Sequence, residues 1–263
     1  MKNTFKVDET NLIEEFDTQF EHQFQFLKKR FESRRIKCYS ANAKEDVREF
    51  ITNFILKREY IRDISFSDSV TLYQLGIYDF MRDSFGKSHS INEPLERSES
   101  GHYNIYGVQP RGRMNLPYDE WIDKHEKWYN NVRKSLCSDL LIIGANAITL
   151  EGEIVSVDGL GNRVSGMVFG PRHVICIVGK NKISTNLESA MDRVQNVAAP
   201  LNYIRHANKH YTKHEVLPCV KLGKCFKCSN PESACMNTVV VRGQIHHHSD
   251  RIHLVVVNKN LGF

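Results

Sequence analysis

Two short stretches of this chain carry residue types and spacings from which chemistry is built. The first, Asp158-Gly159-Leu160-Gly161-Asn162-Arg163, follows a β-branched run and sets an acid, an amide and a guanidinium around two glycines. Both glycines permit positive φ and close approach of a ligand, and Asn162 reads as the cap of a short helix opening near Arg163. Backbone N–H groups at such a junction suit a phosphate or carboxylate. Arg163 would then pair the anion at two points, with Asp158 and Asn162 beside it. A plain strand-to-helix turn without a ligand fits the same six residues. A dinucleotide site does not, because the third glycine is missing, and the full G-x-x-x-x-G-K-S/T phosphate loop does not occur in the chain.

The second stretch holds Cys219, Cys225, Cys228 and Cys235, spaced C-x5-C-x2-C-x6-C. Two intervening residues let a pair of sulfurs face one ion, and two further thiols complete a tetrahedral set. Lys221, Lys224 and Lys227 are expected to lower the thiol pKa values and offset the thiolate charge. Four thiols support either a zinc or an iron–sulfur cluster, and softness alone does not choose between them. Free thiols, or a reversible Cys225–Cys228 disulfide, are the bland alternative. Cys137 and Cys176 sit in or beside apolar runs and read as packing residues. His246, His247, His248 and His253 cluster near the end of the chain, where the triple histidine reads as an exposed turn between strands.

Positioning these residues takes an alternation of helices and strands. Residues 1–35 read as a charged helix whose Phe16, Phe20, Phe24, Leu27 and Phe31 form an aromatic stripe, packed on the main body or on a second subunit. A helix from about Ala43 to Leu56 precedes a strand near Tyr60–Phe66. Ser67-Asp68-Ser69 then ends the strand before a helix at Val70–Leu75. This junction is a second place for a ligand at the carboxyl end of a strand, although Asp68 and Ser69 are equally good helix caps. Residues 86–117 lack a period and read as a flexible insertion, in which Arg111 and Arg113 flank Gly112 and could close on an anion. A helix over 118–137 carries Trp121, His125, Trp128 and Val132 on one side. Strands follow at Leu140–Ile143, Ile154–Val157 and Val174–Val178, then an amphipathic helix over Asn186–Ala198 that ends before Pro200. Strands near Thr238–Arg242 and Ile252–Val257 close the chain. Alternation throughout argues for an α/β sandwich with function at the strand ends.

The bulk numbers narrow the setting. The 263 residues, 41% hydrophobic and 25% charged, suit a folded globular protein. A formal charge of +5, spread along the chain, implies no nucleic-acid partner. No apolar run approaches the roughly 20 residues that span a bilayer, and residues 1–16 lack the apolar core of a secretory signal. Membrane association is therefore not expected and the cytoplasm is the expected location. Seven cysteines in that compartment point to thiols or metal rather than disulfides.

Several motifs, in one order, carry a family resemblance. Ser69-Val70-Thr71-Leu72 with Leu75-Gly76-Ile77, Asn146-Ala147-Ile148-Thr149, Glu151-Gly152-Glu153-Ile154-Val155 and Asp158-Gly159-x-Gly161-Asn162-Arg163-Val164 come first. Phe169-Gly170-Pro171, Gly179-x-Asn181-Lys182-Ile183, Ala198-Ala199-Pro200 and Leu261-Gly262-Phe263 follow. Over roughly residues 40–263 the chain resembles the LUD-domain proteins, the lactate-utilization LutC/YkgG-like family. The resemblance implies a three-layer α/β/α sandwich similar to the sugar-phosphate isomerase and CoA-transferase (NagB/RpiA) group. Residues 1–37 would be an N-terminal helical extension. Residues 38–263 would be the LUD domain, with the 86–117 insertion and a cysteine-rich segment at 218–236.

It also implies a link to oxidation of lactate, a 2-hydroxy acid, alongside iron–sulfur redox subunits, and this inclines the cysteine site towards an iron–sulfur cluster over zinc. The anion-binding set would be Ser69, Asn146, Asp158, Gly159, Gly161, Asn162 and Arg163, and the metal set the four cysteines. Two departures stand out: Ser67-Asp68 replaces a common glycine-rich turn, and the smallest lactate-utilization subunits lack a four-cysteine tail. The leading expectation is a redox-associated subunit that binds a small anionic metabolite. A non-catalytic binding or regulatory module with structural zinc is the alternative, and an isomerase or transferase using Glu151 or Glu153 comes last. No catalytic residue is assigned, and whether the chain is itself an enzyme stays open.

Overall fold

Leu140-Leu141-Ile142-Ile143 is apolar at every position because successive strand side chains face opposite sides, and here both sides are covered. In the computed structural model, which describes residues 9–92, 96–97, 103–104, 117–210, 217–230, 233 and 235–263, Leu140 and Ile142 enter one core. Leu141 and Ile143 enter the other. Val174, Cys176 and Val178 alternate with Ile175 and Ile177 in the same way.

The strands are β1 (Lys37–Ala41), β2 (Asp63–Phe66), β3 (Ser90–Asn92), β4 (Glu96–Arg97), β5 (Tyr103–Asn104) and β6 (Leu140–Gly144). They continue as β7 (Ala147–Thr149), β8 (Ile154–Asp158), β9 (His173–Gly179), β10 (Ile183–Ser184), β11 (Asn237–Val241) and β12 (Ile252–Val257). Six form a sheet in the order β1-β12-β9-β6-β2-β3, and every pairing in it is parallel. A smaller sheet, β10-β7-β8-β11, lies beside it, and β4 pairs with β5.

One face of the main sheet is covered by the Lys44–Leu56 and Ile77–Phe85 helices through Val47, Ile51, Ile77 and Met81. The other face receives Phe20, Phe24, Leu27 and Phe31 of the Glu9–Ser33 helix, together with Ile148 and Ile154 of the smaller sheet. The fold is thus a three-layer α/β/α sandwich. Most of the aromatic stripe is a layer of its core, while Phe16 stays exposed. No helix among the described residues is long and apolar enough to cross a membrane.

Three local expectations are corrected. The helical path does not stop before Pro200. The Leu187–Arg193 helix runs into a π-helical turn at Val194–Ala198 and on through the Ala199–His210 helix. The Ala199 N–H donates to Val194 O, five residues back, and this wide turn admits a proline that a regular helix would reject. The 86–117 segment supplies β3 to the sheet edge, because Ile91 packs on the core; Arg111 and Arg113 lie outside the described residues. Cys38 and Cys176 are buried as packing residues, but Cys137 is exposed.

Candidate anion site and cysteine lobe

A parallel sheet gathers the carboxyl ends of its strands on one edge, and the loops leaving them are free to build a site. Here the exits of β2, β6 and β9, joined by that of β8 from the smaller sheet, converge on a cavity of about 200 Å³. Its walls include Ser69, Asn146, Asp158, Gly159, Asn162 and Arg163, six of the seven residues expected to bind an anion. Gly161 belongs to the same loop but is not part of the lining.

The β8 exit is held by its own acid. Asp158 accepts a hydrogen bond from the Gly161 N–H at 2.9 Å and another from Arg163 Nε at 3.2 Å. Of the two glycines only Gly161 has positive φ, at 93°, a region that an L side chain enters at a cost. Gly161, not Asn162, is the cap position of the Asn162–Val168 helix, and no side chain caps it. That helix has only seven residues, so the anion-binding character rests on side-chain cations.

Arg163 works differently from the two-point grip expected of it. Besides Asp158, it donates to Gly144 O at 3.0 Å, Asn146 Oδ1 at 3.1 Å and Val157 O at 2.6 Å. Four of the five N–H groups of a guanidinium are thereby used, so at most one is left for a ligand. Asn146 is a brace of the same kind, accepting from the Val157 N–H at 2.8 Å as well. Ser69 precedes the Val70–Gln74 helix without capping it through its side chain. Its N–H donates to the Tyr78 hydroxyl at 3.0 Å. Asp68 accepts from Arg205 Nη2 at 2.8 and 2.9 Å, across the cavity mouth.

The residue that sequence reasoning missed is Lys182. It is 4% exposed and lines the cavity. Its Nζ donates to Thr71 Oγ1 at 3.0 Å and to Ala145 O at 2.9 Å. Both partners are uncharged. Burial first, then the nearby charges of Arg193 and Arg163, push its pKa down to about 7, against a small opposing effect of Cys176. Arg193 is itself fixed by Asn181 O and Asn146 O. Gly262, left-handed at φ 62°, closes over the amine. A methyl group there would sit 2.6 Å from Thr71 Oγ1 and 3.1 Å from Lys182 Nζ. The only sequence signal was the Gly179-x-Asn181-Lys182-Ile183 motif, which names no role. Glu151 and Glu153 do not line the cavity; Glu153 is buried and paired with Arg242 at 3.0 Å.

The four cysteines gather in a lobe beyond the Ala199–His210 helix. Cys219 is buried with Tyr203 and Leu217, Cys225 is half-buried, and Cys228 and Cys235 are exposed. The Lys227 N–H donates to Cys225 Sγ at 3.3 Å, and Lys227 takes a positive φ of 50° within the Cys225–Cys228 turn. Burial raises the Cys219 thiol pKa, and Cys228 and Cys225 raise it further. Burial also raises Cys235, opposed by Ser233 and reinforced by the other three cysteines. The flanking lysines, expected to lower the thiols, do not figure in either shift. The four thiols share one lobe, yet no three of their sulfurs lie within 4.8 Å of one another, so the lobe holds the donor types of a thiolate site without its closed geometry.

Among the described residues, the set of three ligand-type atoms lying within 4.8 Å of one another is His173, Asp250 and His253. It sits at the opposite edge of the sheet, where β9 and β12 begin. His173 is bonded to Tyr60 Oη at 2.6 Å and to Asp250 O at 2.8 Å. The Asp250 carboxylate is paired with Lys37 and Arg58, each at 2.9 Å. Two cations already neutralise that acid, so the cluster serves as a polar plug. His246, His247 and His248 form a separate, exposed 3₁₀ turn.

A family model described as the LUD domain matches residues 25–257. A search of the curated proteins finds no match. Among solved structures, a DUF162 family protein from Deinococcus radiodurans is 12% identical, with 82% of this chain and 99% of that chain covered and a TM-score of 0.27. The tetrameric eIF2B-beta2-delta2 complex from C. thermophilum is 11% identical over 54% of this chain and 44% of that chain, with a TM-score of 0.28. Likeness at that level carries no argument about function.

Proposed function

The chain belongs to the LUD-domain family, and from that premise we propose that it takes a small anionic metabolite, a 2-hydroxy or 2-oxo acid of the lactate type, into the strand-end cavity. The observation that carries this reading is the buried Lys182 amine in a cavity where Arg163 and Arg205 are paired with the acids Asp158 and Asp68. Those charges cancel in pairs, which leaves Lys182 as the cationic group without an acid among the described lining residues, and an entering carboxylate would draw a proton onto it. Ser69 and Asn162 add polar wall, and Trp128 and Val132 close the apolar side.

In the cysteine lobe, Cys219, Cys225, Cys228 and Cys235 would hold the metal: an iron–sulfur cluster if the protein takes part in electron transfer, zinc if the lobe is a staple. The family's link with lactate utilization, and with iron–sulfur redox subunits as partners, supports the first choice. The preformed N–H to sulfur contact in the Cys225–Cys228 turn is compatible with both.

Calorimetric titration with L-lactate at two pH values tests the cavity. A protonated amine favours the anion, so the affinity should fall roughly tenfold between pH 6.5 and 8.5 as Lys182 loses its proton. Lys182→Met should abolish that dependence and weaken binding. Absence of binding by L-lactate, pyruvate and inorganic phosphate alike would remove the reading. Metal analysis of anaerobically purified protein tests the lobe. Iron and sulfide support the redox subunit, zinc supports the binding module, and neither metal would end the claim on the four cysteines.

A further inference from the structure

We propose that Lys182 forms a covalent imine with a small 2-oxo acid, a compound whose ketone or aldehyde carbonyl lies next to its carboxylate. The inference rests on the anion-site reading above and goes past it, from holding the acid to bonding with it.

Geometry comes first. Lys182 lines the cavity yet is almost wholly buried, and its amine is held by two oxygens, Thr71 Oγ1 and Ala145 O. Among the described residues it has no carboxylate partner to keep it an ammonium; the charges that face it are those of Arg163 and Arg193, with Cys176 the one group favouring protonation. A neutral amine donates its two hydrogens to those two oxygens and keeps its lone pair as the remaining tetrahedral position. The nucleophile is then oriented and unprotonated at the same time.

Its proton affinity points the same way. An ordinary lysine is neutral about once in 2,500 molecules at pH 7, whereas one with a pKa of about 7 is neutral about half the time. That is a gain on the order of a thousand-fold in reactive amine, the route by which buried lysines become nucleophiles. The competing nucleophiles are poorly placed. Cys176 is fully buried in the core of the sheet and outside the cavity lining, and burial pushes its thiol up to about 12. Ser69 Oγ lies against Gly144, where a methyl group would come within 2.6 Å of it.

The step balances without any further reagent. The amine nitrogen adds to the carbonyl carbon, the carbonyl oxygen leaves with the two amine hydrogens as one water, and a C=N bond remains. Thr71, whose hydroxyl is 3.0 Å from the amine, is the nearest group to pass a proton. Arg205 and the spare N–H of Arg163 are the groups to anchor the carboxylate. L-Lactate, with a hydroxyl in place of the carbonyl, would occupy the cavity without bonding. The two ligands should then differ in sign: lactate binding weakens as the amine deprotonates, and imine formation strengthens.

The test incubates the full chain with pyruvate, and separately with glyoxylate, reduces with borohydride and maps the adduct by peptide mass spectrometry. The expected result is about one adduct per chain, on Lys182, formed several-fold faster at pH 8 than at pH 6 and suppressed by excess L-lactate. Lys182→Arg, checked for folding by circular dichroism, should lose it. Wild-type mapping decides alone if that variant fails to fold. Calorimetric binding of pyruvate with no adduct, or with adducts scattered over surface lysines, would overturn the imine and leave the anion site standing. Neither binding nor adduct would overturn both.

Discussion

Arg163 and Lys182 exchange the roles their residue types suggest. The guanidinium, which looks like the ligand's partner, spends its hydrogen bonds tying β6 and β8 together through Gly144 O, Asn146 Oδ1, Val157 O and Asp158. The lysine, an unremarkable letter in the sequence, is the group left facing the cavity with a reactive nitrogen. The turn around Asp158 and Arg163 was legible because acid, glycine and guanidinium lie within six residues. The low proton affinity of Lys182 was not, because its burial, and after it the nearness of Arg193 and Arg163, arises only through the fold. A prediction follows for the brace. Arg163→Ala strands Asp158 and several acceptor oxygens in a largely buried site, which should cost about 2–4 kcal/mol in denaturant unfolding. Arg163→Lys should recover little of it, because a point charge cannot serve four divergent acceptors. Unchanged stability in both variants would mean that the guanidinium is free for a ligand after all.

At the scale of elements, one helix joins the two candidate centres. Ala199–His210 turns Asn202 and Arg205 towards the cavity and packs Tyr203 against Leu217 and Cys219 of the cysteine lobe. The π turn at Val194–Ala198 is what lets this helix pass Pro200, and a reading that treats proline as a stop signal could not anticipate it. The C-x2-C spacing was readable from sequence because it is local. The rise in the Cys219 and Cys235 thiol pKa values, from burial first and then from the neighbouring cysteines, was not, because it depends on the lobe's folding. The lobe has a small apolar cluster of its own, built on Tyr203, Leu217 and Cys219, so most of its order should come from the metal proposed for it. Cys228→Ser is therefore expected to release metal and to speed hydrogen exchange across residues 217–230 by an order of magnitude or more. The main sheet should exchange as before. Equal protection of the lobe with and without metal would mean that it folds on packing alone.

For the whole molecule, the sequence made the central strands plain, since runs apolar at every position are what a sheet covered on both faces requires. It hid β3, which is short, polar and set within an insertion, while the partition of the histidines followed from the strand expected at Ile252–Val257 and the exposed turn expected at His246–His248. His253 belongs to β12 and the sheet core, whereas His246–His248 stay outside. That partition governs how the fold meets acid. Burial, outweighing its bond to Asp250 O, pushes the His253 pKa down to about 4 from an unfolded value near 6.5. The unfolded chain therefore binds a proton that the native chain refuses between those two pH values. Stability is full above about 6.5, declines as pH falls towards 4, and suffers no further loss from this residue below that. Burial lowers His173 in the same direction, so the two act together at the edge where β9 and β12 begin. For Asp250, burial alone would raise the pKa, but Arg58, Lys37 and His253 together bring it down to about 2, so its stabilising effect fades only at still lower pH. The loss attributable to His253 is on the order of 3 kcal/mol. Urea unfolding at intervals from pH 7.5 to 4.5 should trace that decline, and His253→Phe, which keeps a ring against Phe54, should flatten it. A profile of equal slope in the variant would place the acid sensitivity elsewhere than in the plug at the strand starts.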